Sequence, residues 1–221
     1  MKDGQLAIGI AGLGTVGKQV AQAILNGALP GVVLSHVVVR DTAIDRGLDL
    51  AGVQVGTDLQ ELVAPDNSID LVVELIGGEN GPALDLVKSA LSSGKSVVTA
   101  NKAMLSRHSI ELATLADEKN QILAFEAAVA GGIPIIKTIR EALAGNKVTR
   151  LSGILNGTCN FILSKMAETG GAFEEILAQA QSLGYAEADP SFDIEGIDAA
   201  QKLTLLAGLA FGITPDLTSV S

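Results

Sequence analysis

Apolar residues along this chain keep two rhythms that take turns. Residues 6–11 form an unbroken apolar run, and just beyond a glycine-rich turn Val20, Ala21, Ile24 and Leu25 recur at helical spacing. A run without alternation marks a strand covered on both faces, as parallel sheets require. Runs also occupy residues 32–39, 69–76, 96–100 and 122–125. Between them, Pro82 opens a helix whose buried face is Leu84, Val87 and Leu91 and whose stop is Gly94, and residues 112–120 predict another. Pro134 then starts an amphipathic helix carrying Ile135, Ile136, Ile139 and Leu143. Strands alternating with helices predict α/β architecture with a parallel sheet. Past that point the pattern shifts: residues 148–154 predict a strand of a second domain, followed by helices at 160–166, 173–183 and 196–212.

The first strand leads straight into Gly12, Gly14 and Gly17, a G-x-G-x-x-G spacing that opens a helix. In that context Gly12 permits the tight turn, Gly14 lets a pyrophosphate approach the backbone, and Gly17 lets helix and strand pack closely. The loop Gly12, Leu13, Gly14, Thr15, Val16 and Gly17 is therefore the expected dinucleotide cradle. Arg40 follows the second strand, where the fold places the residue that meets the adenosine ribose. An arginine there accepts a 2′-phosphate and points to NADP, with NAD still possible; the alternative is that Arg40 pairs with its neighbour Asp41. Glu74 interrupts the near-continuous apolar run at 69–76, and the strand at 96–100 delivers Asn101 and Lys102 to the ligand-binding edge of the sheet. The expected organisation is a Rossmann-type domain over residues 1–130 and part of an α+β substrate domain over 131–221.

The formal charge is −10, aromatics make up 3% and Trp is absent, which argues against nucleic acid as a partner. Cys159 is the only cysteine, so no intrachain disulfide forms, and with no histidine near in sequence it is a packed thiol rather than a nucleophile. His36 and His108 lack metal-ligand spacing. No signal peptide or bilayer-length apolar run is present, so the expected setting is cytoplasmic.

Candidate chemistry concentrates at residues 184–202, GYAEADPSFDIEGIDAAQK. Five carboxylates (Glu187, Asp189, Asp193, Glu195 and Asp198) precede a helix apolar on most sides that carries Lys202. Asp198 and Lys202 are four apart and share a face, which Leu205 and Leu209 continue. An exposed ion pair is one explanation, but leucines on its stripe weigh against it. A calcium loop fails because a cation, Lys202, stands where a bidentate Glu is needed. A carboxylate-lined pocket with one amine could bind a substrate ammonium and move a proton.

This segment resembles the substrate-binding signature of homoserine dehydrogenases, as do GLGTVG, VVTANKA, EAAVAGGIP and SGILNGTCNFIL elsewhere in the chain. The resemblance implies NAD(P)-dependent interconversion of L-homoserine and L-aspartate 4-semialdehyde, on the route to threonine, methionine and isoleucine. It implies Lys202, Asp198 and Lys102 as catalytic residues and Glu187, Asp193 and Thr158 as substrate-binding. It also implies a monovalent cation, sodium or potassium, at Glu126, Val129, Gly131 and Ile133, where an interdomain hinge is the alternative, and, for the full-length form, a homodimer or larger homo-oligomer. Another amino-acid alcohol or aldehyde dehydrogenase, or a silent nucleotide-binding fragment, are the rival readings. Members of that family are longer, so the expectation is a fragment, weakly active or inactive alone, with an exposed apolar patch around Leu203, Ala207 and Phe211.

Overall fold

The computed structural model describes residues 4–221 and separates them into two compact units that divide between Lys137 and Thr138. The first unit is a single parallel sheet in the order β3-β2-β1-β4-β5-β6. Its strands are β1 (Leu6–Ala11), β2 (Val32–Val38), β3 (Gln54–Gly56), β4 (Leu71–Glu74), β5 (Ser96–Thr99) and β6 (Leu123–Ala124). Because β1 pairs with both β2 and β4, the chain winds outward in one direction and then in the other. The carboxyl ends of β1 and β4 therefore form the switch point where such sheets leave a crevice. Ile8, Ile10, Leu34, Val37 and Val73 pack with Ala21 and Ile24 of helix α1 (Thr15–Leu25) to make the core beneath it.

Helices α2 (Pro82–Ser92) and α3 (Lys102–Glu118) cover the sheet. Expected helix 112–120 is the second half of α3. The polar stretch Ser106, Arg107 and His108 hides the apolar period in its first half, although Met104 and Leu105 there are fully buried. Strand β3 has no apolar signature because it is a three-residue edge strand, with Val55 exposed.

Helix α4 (Glu126–Val129) and a single turn α5 (Ile135–Lys137) follow, and a π-helical turn over Thr138–Ala142 continues α5. The expected regular amphipathic helix is thus broken. Ile136 and Ile139 are buried as the pattern implies, but the wider π turn carries Leu143 off that stripe into solvent. The Glu126 carboxylate accepts from the amides of Ile136 and Lys137, which ties the stretch after 130 to the first unit.

The second unit comprises α6 (Gly157–Thr169), α7 (Phe173–Ser182), α8 (Ser191–Ile194) and α9 (Ile197–Phe211). The expected strand at 148–154 does not form. An isolated extended segment needs a ladder partner for its amides, and among the described residues this unit holds no strand; Ile154 is exposed. Ile162, Ile176, Ala180 and Ala186 form a small core, edged by Phe161, whose ring lies 5.0 Å from that of Tyr185. Helix α9 is covered on one side and open on the other, where the apolar patch around Leu203, Ala207 and Phe211 is expected. Asp198, Gln201, Thr204, Leu205 and Leu206 are covered, while Leu203 and Phe211 are 36% and 41% exposed and Ala207 is half-buried. The helix packs chiefly against α8, the π turn and a short 3-10 turn at Leu217–Ser219 in this unit. Among the described residues no helix is long and apolar enough to cross a membrane.

Candidate active site

The crevice at the switch point encloses about 840 Å³ and is walled by Gly12, Leu13 and Gly14 on one side and by Leu75, Ile76 and Gly77 on the other. Helix α1 starts here with Gly14 as its cap and no side chain capping its first amides. Those amides point outward as a ready anion site at the positive end of the helix dipole. Gly12 has φ +94°, and a Cβ on it would stand 2.9 Å from the Leu75 carbonyl oxygen; a Cβ on Gly17 would overlap the Gly12 carbonyl oxygen. At Gly12 and Gly17, therefore, only glycine lets the turn close against the Leu75 and Gly12 carbonyls. Thr15 and Val16, both exposed, complete that first turn.

Arg40 also lines the crevice and is exposed. Asp41 does not pair with it: its Oδ1 accepts from the amide of Ala43 at 2.8 Å, and its carbonyl accepts from the Arg46 guanidinium at 3.0 Å. Lys102 is the first residue of α3, held at the carboxyl end of β5 by Asn101, whose side chain caps the helix at Met104.

The second cluster lies wholly within the second unit. Lys202 Nζ donates to Asp198 Oδ2 and to the main-chain oxygen of Leu155, each at 2.8 Å. The side chains of the pair are 20% and 8% exposed, so this is a half-sequestered ion pair and not a solvated one. An ammonium has three N–H donors. Two are fixed here, which orients the third.

Asn156 joins the acids. Its Nδ2 donates to Asp193 Oδ1 at 2.8 Å and to Asp198 Oδ2 at 3.0 Å, while its Oδ1 caps α6 by accepting from Cys159 N at 2.8 Å. The Thr158 hydroxyl lies 2.7 Å from the Tyr185 carbonyl oxygen and 2.9 Å from Asp193 Oδ2; with one proton it donates to one of them at a time. The Cys159 thiol donates to the Asp193 carbonyl, and burial, followed by the charges of Asp193 and Asp198, pushes its pKa up, so it stays protonated. That fits a packed thiol.

The structure thus brings together Thr158, Asp193, Asp198 and Lys202. It sets the other acids apart: Glu187 and Glu195 are exposed, the former with its carbonyl accepting from Gln181, and Asp189 is held below the usual carboxylate range by Ser191, whose hydroxyl and amide both donate to it. Asn156 is the member that sequence reasoning missed, although a cap residue before an apolar helix was a visible signal. Asn156→Ala is expected to lower stability by about 2 kcal/mol, combining a lost cap with two carboxylates stripped of a donor. Asn156→Ser should recover the cap share only. Thermal melts of both variants check this, and an alanine variant melting with the wild type would deny the bridge any weight.

The loop expected to hold a monovalent cation has its carboxylate otherwise engaged. Glu126 Oε1 and Oε2 accept from Ile136 N and Lys137 N at 2.7 and 3.0 Å, drawn by the amides that begin α5, and the Ile133 carbonyl accepts from Ile135 N. Among the described residues no three His, Cys, Asp or Glu side chains gather as a metal-holding group.

Comparison with known proteins gives matches to both units. The family described as homoserine dehydrogenase, NAD binding domain, matches residues 12–126, and the family described as homoserine dehydrogenase matches 134–221. The homoserine dehydrogenase of Pseudomonas aeruginosa is 50% identical over 213 residues, covering 93% of this chain and 48% of its own length. The crystal structure of a homoserine dehydrogenase from Thiobacillus denitrificans superposes with a TM-score of 0.83 at 46% identity, over 97% of this chain and 51% of that one. A hyperthermophilic archaeal homoserine dehydrogenase in complex with NADPH gives 0.81 at 32% identity, over 96% and 71%. The chain spans about half the length of the curated relatives it matches.

Proposed function

The chain belongs to the homoserine dehydrogenase family, with an NAD-binding domain as its first unit, and we propose that it serves the NADP-linked interconversion of L-homoserine and L-aspartate 4-semialdehyde. The observation that carries this reading is the Lys202 ammonium, with two of its donors held by Asp198 and Leu155. The dinucleotide, when bound, exchanges a hydride with the substrate carbon. In the reducing direction the substrate oxygen gains negative charge and takes a proton, and the third N–H of Lys202 supplies it. Asp198 keeps Lys202 oriented and offsets its charge. In the oxidising direction the neutral amine takes the alcohol proton back.

Asp193, backed by Asn156 and Thr158, and Glu187 are proposed to bind the substrate ammonium, since carboxylates favour a cation. Lys102 is proposed as a second catalytic cation. NADP is favoured over NAD because Arg40 lines the crevice without an Asp41 partner, and a relative was solved with NADPH. Arg40→Ala is expected to weaken NADP binding by roughly 1.5 to 3 kcal/mol while sparing NAD. Titrating both nucleotides checks it; equal losses would assign Arg40 to the pyrophosphate or the fold. A monovalent cation belongs to the proposal as a carbonyl site of Val129, Gly131 and Ile133, with Glu126 shaping the loop. Its test is cofactor affinity in potassium or sodium against choline at equal ionic strength.

A homo-oligomer is proposed for the full-length form, as the family resemblance implies, and size-exclusion chromatography reads it directly. The function itself is tested by homoserine-dependent NADP reduction, with other amino-acid alcohols as competing substrates. Turnover of another alcohol in preference to homoserine would move the substrate assignment, and nucleotide binding without any turnover would leave a binding module.

A further inference from the structure

Glu74 is the charged residue that breaks the apolar run of β4, and it is fully buried. A buried carboxylate is tolerated only when hydrogen bonds replace the water it has lost. Here Oε1 accepts from Ile76 N at 2.8 Å and Gly77 N at 2.9 Å, and Oε2 accepts from the hydroxyl of Thr99, its register partner on β5. Thr99 Oγ1 in turn accepts from Asn101 N at 3.0 Å. Asn101 closes the circuit, with Nδ2 donating to the Gly78 carbonyl at 2.7 Å and Oδ1 capping α3. Thr99 and Asn101 are themselves buried.

A strand at this position needs only an apolar side chain to pack. What the carboxylate adds is a link between two separate turns at the ligand-binding edge. One is the turn after β4, whose Ile76 and Gly77 wall the crevice; the other is the turn after β5, where α3 begins with Lys102. We infer that Glu74 is a positioning residue for the dinucleotide: through Thr99 and Asn101 it holds the Ile76–Gly77 wall and the start of α3 in one geometry. The inference rests on the dinucleotide reading of the crevice.

The test compares Glu74→Gln, Thr99→Val and Thr99→Ser in the full chain, by NADPH fluorescence titration with far-ultraviolet circular dichroism beside it. Glutamine preserves the Oε1 acceptor and turns its other end into a donor, so the Thr99 hydroxyl loses its acceptor; valine preserves packing and deletes the hydroxyl. Both are expected to raise the NADPH Kd on the order of tenfold with the fold retained, the size of one lost buried hydrogen bond. Serine restores the hydroxyl and should bind close to wild type. The double variant Glu74→Gln with Thr99→Val should be no weaker than the singles, because both break the same link. A folded Glu74→Gln with wild-type Kd, or a serine variant as weak as the valine one, overturns the inference. Should Glu74→Gln fail to fold, the valine and serine pair decides alone. A wild-type chain without NADPH affinity would instead sink the dinucleotide reading, and this inference with it.

Discussion

Lys202→Ala is expected to lower homoserine-dependent turnover by about 10²- to 10⁴-fold while leaving NADPH affinity at the wild-type value. The size follows from the role. The proton reaches the substrate oxygen as negative charge develops there, so an oriented N–H contributes to the transition state and little to the ground state. Orientation is what the fold supplies: Asp198 and the Leu155 carbonyl each hold Nζ at 2.8 Å, and both belong to the second unit with Lys202 itself. The nucleotide cradle lies in the first unit, which is why binding should be spared. Steady-state kinetics beside an NADPH titration separate the two. A variant that keeps most of its kcat takes Lys202 out of the chemistry, and one that loses NADPH binding as well has been damaged more broadly.

The second large effect is expected at Gly17. Alanine there drives a Cβ into the Gly12 carbonyl, so either α1 or the tight turn must move. Overpacking against backbone, which cannot rotate away, should cost about 3 kcal/mol or more, and NADPH binding should fall with the cradle. Gly14→Ala is the informative contrast. Its Cβ meets nothing within 4 Å and its φ of −72° suits any residue, so the fold should melt near wild type while the methyl intrudes on the pyrophosphate. Thermal melts and NADPH titrations of the two variants should therefore diverge. A Gly17→Ala protein as stable as wild type would show that the start of α1 can move away from the Gly12 carbonyl at little cost.

Much of the first unit was legible residue by residue, and the reason is locality. Apolar runs, 3.6-residue periods, a glycine turn and a proline at a helix start all describe neighbours in the chain, and β1, α1, α2 and β5 stand where those signals put them. The errors are equally physical. The edge strand β3 is too short and too exposed to carry an apolar signature, and the polar middle of α3 masks its period. The segment at 148–154 has strand-like composition, but a strand exists only with a partner beside it.

The candidate site divides the same way. The glycine cradle and the i, i+4 pairing of Asp198 with Lys202 follow from chain spacing and could be read from residue types alone. What only the tertiary structure decided are contacts between positions far apart in sequence. Leu155 and Lys202 are 47 residues apart, Asn156 and Asp198 are 42, and Glu74 and Thr99 are 25. Composition made all five carboxylates of residues 184–202 equal candidates. The fold separated them by where each oxygen finds its donors: Asp193 and Asp198 share the Asn156 amide, Asp189 turns back on Ser191, and Glu187 and Glu195 stay in solvent. A carboxylate's role depends on the donors that surround it, and those donors come from other turns of the chain.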